Sequence, residues 1–387
     1  MHVAIVTETY PPDVNGVALT VRHLATGMAA RGHAVSVVHP RGESPPAAGE
    51  LLVDAWPVPR YPGLRMGRPC VPTLLAHWRR ARPDAIYVAT EGPLGVSALA
   101  AARIARIPVA TGFHTRFDRY LRDYRAGWLA RPFRAWMRAF HARAHATLVP
   151  TQALADELRA DGFRRVVRLA RAVDTARFHP GHRDEALRAG WGVAGDAPVL
   201  LHMGRMAPEK NLALAACAFE AALAARPDAR VVWVGDGPAR AALESSHPHH
   251  VFCGVRHGAD LARHVASADV FVFPSRSETF GNVTLEALAS GVATVAFDTG
   301  AAHEVLRDGV HGACVRDGDD DALVAATVRL ATDDALRATQ RAAARGAVAH
   351  LDPARVVADF ETILARIARH GAPRRAATRA CLEGGAP

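Results

Sequence analysis

Two carboxylates and two cations carry the sharpest chemical signal in this chain. Glu278 and Glu286 stand eight residues apart in "SRSETFGNVTLEALASG" (275–291), and Arg205 and Lys210 stand five apart in "GRMAPEKN" (204–211). Lys210 is the only lysine, so 46 of the 47 Lys and Arg residues are arginines. A guanidinium fork binds two oxygens in a fixed plane, whereas an ammonium is a compact, movable point charge. One of each suits a diphosphate, and a tight space is a reason for lysine to persist at 210 alone. A carboxylate is suited to accept two hydroxyls of a ribose or hexose. Gly281, between the glutamates, lets the backbone turn closely around a ligand. The amides of Phe280, Gly281, Asn282 and Val283, at the start of a helix, can donate to phosphate or sugar oxygens. The plainer alternatives are an exposed turn with two surface cations, and a helix whose first turn is acidic because of its dipole. The dipole explains Glu286, but not Glu278 together with the glycine loop.

These residues follow strands. "HVAIVTETYPP" is an apolar run ending in a proline loop; helical spacing in "VALTVRHLATGMAARG" and the strand "HAVSVVHP" follow, which opens a doubly wound sheet. "DAIYVAT", "IPVATGFH" and "ATLVPT" continue it. Residues 172–198 show turn residues and no clear periodicity, and an interdomain linker is placed there. A second series begins with "VLLHMGR" and runs through "ARVVWVGDGP", "HVFCGV", "DVFVFPS" and "VATVAFDTG", with helices between. The expected fold class is α/β, two facing Rossmann-like domains with a cleft between them. Residues 1–171 form the N-terminal, acceptor-side domain and 172–350 the C-terminal, nucleotide-binding one. Residues 351–370 form a final helix whose packing is open, a return to the N-terminal domain being one option. Residues 371–387 are expected to be disordered. Open α/β sheets bind ligands at the carboxyl ends of their strands, and the motifs sit there.

Composition narrows the class. The chain has 387 residues, half of them hydrophobic, which suits two soluble domains. It has no apolar run long enough to span a bilayer and no signal-peptide pattern at "MHVAIVTETYPP". Five scattered cysteines without a C-x-x-C argue against a disulfide framework or a zinc site, and for a reducing cytoplasm. The net charge of +9 favours polyanionic partners. Arginine richness also follows genome composition, so the charge informs only where it clusters.

"GRMAPEKN", "VGDGP", "PSRSETFGNVTLEALASG" and "AVDTARFHP" resemble the signatures of glycosyltransferase family 4, retaining nucleotide-sugar-dependent enzymes of the GT-B fold. The resemblance covers nearly the whole chain and is most specific over 200–310. It implies that Glu278 contacts the donor sugar, that Glu286 holds the ribose hydroxyls, and that Arg205 and Lys210 bind the diphosphate. Val255 joins the nucleotide-sugar site. "YPPDVNGVA" (10–18) is similar to the family's first loop, where Gly16 brings its backbone against the donor phosphate and Tyr10 and Asn15 face the acceptor side. "TGFHTRFDRYLRDYRAG" (111–127) is similar to the subgroup that transfers mannose from GDP-mannose, or sulfoquinovose from its UDP donor, to lipid acceptors. It implies His114 near the donor sugar, with Thr115 and Arg116 on the acceptor side. A lone histidine is more often structural; the position after "IPVATG" favours function. The family usually has glycine at the positions of Ala172 and Ala301. The second departure makes the role of Glu304 and the sugar identity less secure.

The expected reaction is hexosyl transfer from a nucleotide sugar, GDP-mannose favoured, to a hydroxyl of a lipid-linked or glycolipid acceptor. A UDP-hexose donor and a non-hydrolysing nucleotide-sugar epimerase are the enzymatic alternatives. No cofactor and no metal is expected: no Asp-x-Asp lies near the donor site, and "DGDDD" (317–321) reads as a surface turn. Residues 116–143 hold Arg116, Arg119, Arg122, Arg125, Arg131, Arg134, Arg138 and Arg143 against Asp118 and Asp123, with aromatics between. That pattern suits an anionic membrane surface, and equally a solvated helix with its aromatics in the core. The expected location is the cytoplasm, with peripheral attachment to the inner face of the membrane as one option. RNA binding is the non-enzyme alternative; it leaves Glu278 and Glu286 unexplained, and no nucleic-acid partner is expected.

Overall fold

The computed structural model describes residues 1–13, 15–42, 45–58, 65–114, 130–276 and 278–371. Two sheets organise them. The first runs through β1 (His2–Val6), β2 (Ala34–Pro40), β3 (Glu50–Val53), β6 (Ala85–Val88), β7 (Val109–Gly112), β8 (Ala146–Val149) and β9 (Val166–Arg168). Their order is β3-β2-β1-β6-β7-β8-β9, parallel throughout. A short antiparallel pair, β4 (Ala55–Pro57) and β5 (Arg65–Gly67), stands beside it. The second sheet contains β10 (Val199–Met203), β11 (Arg230–Val234), β12 (Val251–Phe252), β13 (Val270–Phe273), β14 (Ala293–Phe297) and β15 (Gly312–Val315), ordered β12-β11-β10-β13-β14-β15 and again parallel. Helices cover both faces, so the central strands are continuous apolar runs: every residue of β6, β10, β13 and β14 is buried.

In each sheet the strand order reverses next to the first strand, between β1 and β6 and between β10 and β13. The crevice of a doubly wound sheet opens at the carboxyl ends of such strands. Glu8, Tyr10 and Asn15 follow β1; Arg205 and Lys210 follow β10; Glu278 follows β13.

The segment read as a linker is partly built into the second domain. Helix Glu185–Gly190 lies within it, and Val173, Phe178 and Trp191 join that domain's core. Its short helix is too small to leave a periodic trace in the sequence. The last helix, Pro353–Gly371, lies on the first domain. Val356, Val357, Phe360, Ile363, Leu364 and Ile367 recur at helical spacing and join Val21, Leu24, Met28 and Tyr87 in one core. Each such side chain contributes about 1.5–3 kcal/mol when fully buried. Glu361 pairs with Arg31 at 2.6 Å and with His33 at 2.9 Å at the rim.

Candidate active site

The second domain's side of the cleft is built by two loops that lean on each other. After β10 the chain turns at Gly204, and the "VGDGP" loop after β11 backs it: Met206 N donates to Asp236 O at 2.9 Å. A Cβ at Gly235 would lie 1.9 Å from Gly204 O, and one at Gly237 2.4 Å from Met206 O, so only glycine permits this approach. A single turn, Pro208–Lys210, then presents the lysine. Asn211 has φ +53 and makes no side-chain cap to the next helix, contrary to the capping role its position suggests. Its amide instead donates to Pro274 O at 3.3 Å, tying the β10 loop to the β13 loop.

That tie sets Lys210 against Glu278. Lys210 Nζ is in direct contact with Glu278 Oε1, and Ser275 Oγ donates to the same oxygen at 3.2 Å. The two side chains are 18% and 19% exposed, so the pair is largely shielded from water. Lys210 Nζ also lies 5.7 Å from the Phe273 ring centroid. Arg205 is exposed at the end of β10, and Val255 is exposed in the loop after β12.

Gly281, at φ +88, opens helix Asn282–Ala289. Glu286 is therefore the fifth helical residue, on the second turn and not the first, because the helix starts one residue earlier than its spacing suggested. The dipole account of this glutamate weakens accordingly. Glu286 is half-buried; burial pushes its carboxyl up to about 7, with Arg177 opposing. Arg177 was missed in the sequence, although it lies inside "AVDTARFHP". Its amide donates to Asp174 Oδ1 at 2.9 Å, which fixes this turn beside the helix. Phe280 is buried, and Val283 is half-buried against the same core. Gly300 packs on Phe280: a Cβ there would meet Phe280 O at 2.4 Å, while Ala301 fits, fully buried, and its amide donates to that oxygen at 2.6 Å. Glu304 faces the other domain, accepting from Gln152 N and Arg168 Nη2, each at 3.0 Å. The acidic turn holds Arg276, through Asp317 at 3.3 Å and through Asp320.

On the opposite wall, Asn15 caps helix Gly16–Ala30, accepting from Val17 N and Ala18 N, and its amide donates to Thr9 Oγ1 at 2.7 Å. Gly16 lies directly across from Asn282, whose Nδ2 would be 3.6 Å from a Cβ at that glycine. Tyr10 packs on His39, ring centroids 5.1 Å apart. Glu8 braces the loops behind, accepting from Gly67 N at 2.6 Å and Leu94 N at 2.9 Å.

His114 follows β7 and is held from both sides. Arg171 Nη2 lies 2.5 Å from its Nδ1, and Tyr87 Oη 2.8 Å from its Nε2. A guanidinium only donates, so Nδ1 must accept, the proton sits on Nε2, and Nε2–H donates to Tyr87. Burial, with Arg171 and His141 adding to it, pushes His114 well below its usual range and keeps the ring neutral. Burial pushes the Tyr87 hydroxyl up. Behind them His141 Nδ1 lies 2.8 Å from Thr111 Oγ1, and its Nε2 lies 3.4 Å from Glu91. Tyr87, Arg171, Glu91 and His141 were not legible in the sequence, since only the closed fold brings them together. Thr115 and Arg116, and the aromatic-basic stretch to residue 129, lie outside the described residues. Of its continuation, Met137 and Phe140 are core, while Trp136 is 40% exposed. Arg134 pairs with Asp161 at 3.1 Å. No helix among the described residues is long and apolar enough to cross a membrane.

Opposed doubly wound domains, with cationic and carboxylate loops at the carboxyl ends of their strands, are the GT-B architecture of nucleotide-sugar glycosyltransferases. Solved structures share it: Anabaena Alr3699/HepE in complex with UDP matches with a TM-score of 0.76 at 20% identity, over 95% of this chain and 100% of that one. Residues 14–177 match the family described as Glycosyltransferase Family 4, and 197–333 match Glycosyl transferases group 1. The GDP-mannose-dependent alpha-mannosyltransferase of Mycolicibacterium smegmatis is 36% identical over 95% of this chain and 98% of its own length. A GDP-mannose-dependent alpha-(1-6)-phosphatidylinositol dimannoside mannosyltransferase of Mycobacterium tuberculosis is 30% identical over 79% of this chain and 82% of its own. The chain belongs to glycosyltransferase family 4 and is a hexosyltransferase.

Proposed function

We propose that the protein transfers mannose from GDP-mannose, with retention of configuration, to a hydroxyl of a lipid-linked or glycolipid acceptor. The observation that carries the chemistry is the Lys210–Glu278 contact. Before the donor arrives, the ammonium is parked on the carboxylate. An incoming diphosphate offers it stronger charge, and Lys210 exchanges one oxygen partner for another within a small space. That exchange frees Glu278 to accept hydroxyls of the hexose. Arg205, Lys210 and the amides that open the Asn282 helix then stabilise the charge that develops on the leaving diphosphate, the kind of contribution that is often the largest in catalysis. Glu286 takes the ribose hydroxyls. The choice of mannose is supported by the two mannosyltransferase relatives, and that of a lipid acceptor by the phosphatidylinositol dimannoside mannosyltransferase alone; retention is supported by the family. The described walls supply cations and amides where the leaving charge would appear, so no metal enters this scheme.

A panel of radiolabelled nucleotide sugars, incubated with the enzyme and a membrane extract, tests the proposal. Label from GDP-mannose should pass into the organic phase. Label passing only from a UDP-hexose would refute the donor. Conversion of the sugar in donor alone, without acceptor, would point to an epimerase.

A further inference from the structure

The two most deeply buried arginines among the described residues each lie on an aspartate, Arg188 on Asp269 at 2.9 Å and Arg337 on Asp334 at 2.5 Å. Arg171 differs. It is half-buried just after β9, and burial pushes its guanidinium below its ordinary range. No carboxylate among the described residues pairs with it; its hydrogen bond goes to His114 Nδ1. Holding a cation there without a counter-charge costs solvation, so the position calls for an explanation in what the cation does to the ring.

The ring is confined on its other side as well. Tyr87 Oη lies 2.8 Å from Nε2, and Tyr87 is 1% exposed. Phe360 of the last helix lies edge-on to the phenol, ring centroids 5.0 Å apart, and holds it in place. Gly112 supplies the room: a Cβ there would come within 2.5 Å of His114 Nε2 and closer still to Tyr87 Oη. Arg171 stands where the chain leaves the first domain, and Phe360 on the helix that returns to it. Both crossings therefore converge on one side chain.

Nδ1 accepts from a cation, so a proton arriving there would set two donors face to face. Nε2 is already engaged with Tyr87. The ring can neither take a proton from a hydroxyl nor turn over, and it stands as a fixed, neutral part of the wall at the carboxyl end of β7. The charged and titratable groups around it are Arg171, Tyr87 on β6, His141 on helix Ala130–His141, and Glu91 behind His141. Burial is the first cause that holds His114 low, Arg171 the next and His141 the third. Removing the Arg171 charge should let the ring protonate at higher pH.

We propose that Arg171 is a positioning residue: it holds His114 as the Nε2–H tautomer against Tyr87, and so fixes the wall that the donor sugar meets. This deepens the proposed transfer and rests on His114 lying at the sugar end of the donor.

The test reads the two ring nitrogens of His114 in the donor-free full chain by long-range proton–nitrogen NMR, the signals being identified by their loss in His114→Gln. Wild type should show a bare Nδ1 and a protonated Nε2, unchanged from pH 8 to 6. In Arg171→Met, Nδ1 should take up a proton at a higher pH than in wild type. Arg171→Lys, which keeps a cationic donor, should restore the wild-type pattern. Turnover of Arg171→Met should fall about tenfold or more, since misplacing a contact by about 1 Å can cost about a hundredfold, and it should recover in Arg171→Lys. GDP, which lacks the hexose, should bind within about twofold of wild type. Far-UV circular dichroism reports that each variant is folded. A protonated Nδ1 in the wild type overturns the proposal, and so do wild-type ring signals in a folded Arg171→Met protein. Equal losses of turnover and GDP affinity in Arg171→Met also overturn it, marking Arg171 as a tie between the domains. Should the donor be a UDP-hexose, the proposed function falls, while the ring signals still decide the role of Arg171.

Discussion

If Lys210 is parked on Glu278, the carboxylate competes with the diphosphate for it, and removing the carboxylate should tighten product binding while it slows the reaction. The relevant variant is Glu278→Gln, close in shape and without the charge. A hydrogen bond to a charged group contributes about 1.5–3 kcal/mol net, and fully exposed pairs about 0.2–1 kcal/mol. With both side chains under one-fifth exposed, the lower end of the first range, about 1.5 kcal/mol, is the reasonable choice. Since 1.4 kcal/mol is a factor of ten, Glu278→Gln should bind GDP about tenfold more tightly by calorimetry. Its turnover should fall on the order of a hundredfold, because the contact to the hexose is lost. Lys210→Ala should weaken GDP, and on that background Glu278→Gln should change affinity less than about twofold, since nothing remains to compete for. Strictly additive effects, or weaker GDP binding by Glu278→Gln alone, would refute the exchange of partners.

Four further outcomes follow from the same geometry. Lys210→Arg keeps the charge but adds a fork that can lock bidentately on Glu278; turnover should fall, and wild-type kinetics would end the case for a small, movable cation. Glu286, with its carboxyl raised to about 7 in the donor-free protein, is neutral below that pH, and ribose hydroxyls bind the ionised form better; GDP affinity should therefore rise from pH 6 to 8, and Glu286→Gln should flatten that part of the rise. Asp269 is buried among Arg188 at 2.9 Å, Arg183 at 3.1 Å and Arg341 at 2.7 Å; Asp269→Asn leaves the buried Arg188 only the exposed Glu185 at 3.3 Å as counter-charge and should cost about 3 kcal/mol in urea unfolding, with a loss under 1 kcal/mol contradicting the account. Reversing Arg122, Arg125 and Arg131 to Glu should abolish sedimentation with anionic vesicles at low salt, each cation contributing about 1 kcal/mol near such a surface; Arg134 is left alone because Asp161 already holds it, and a wild-type protein that ignores vesicles would remove the membrane from the scheme.

What the sequence discloses here depends on distance along the chain. The strand–loop–helix units are local, so their apolar runs and glycine loops are visible, and Lys210 and Glu278 stand out as unusual residues at strand ends. Their contact is not visible, because it spans 68 residues and goes with an Asn211 side chain that bonds Pro274 O in place of capping its own helix. That loss of a cap is small, of the order of 1 kcal/mol, and tertiary ties between loops outweigh it. The same reason hides Arg171, which reaches back 57 residues to His114 from the crossing between the domains. The placement has a consequence for dynamics. Arg171 lies on the strand-to-domain crossing, beside Ala172, where the family usually has glycine, and Glu304 reaches across the cleft to Arg168 just before it. A rotation of the domains about this segment must move Arg171, and with it the only donor to His114 Nδ1 among the described contacts. If the cleft closes by rotation about 168–172, that motion would shift the donor to His114 Nδ1, a coupling that no local motif announces.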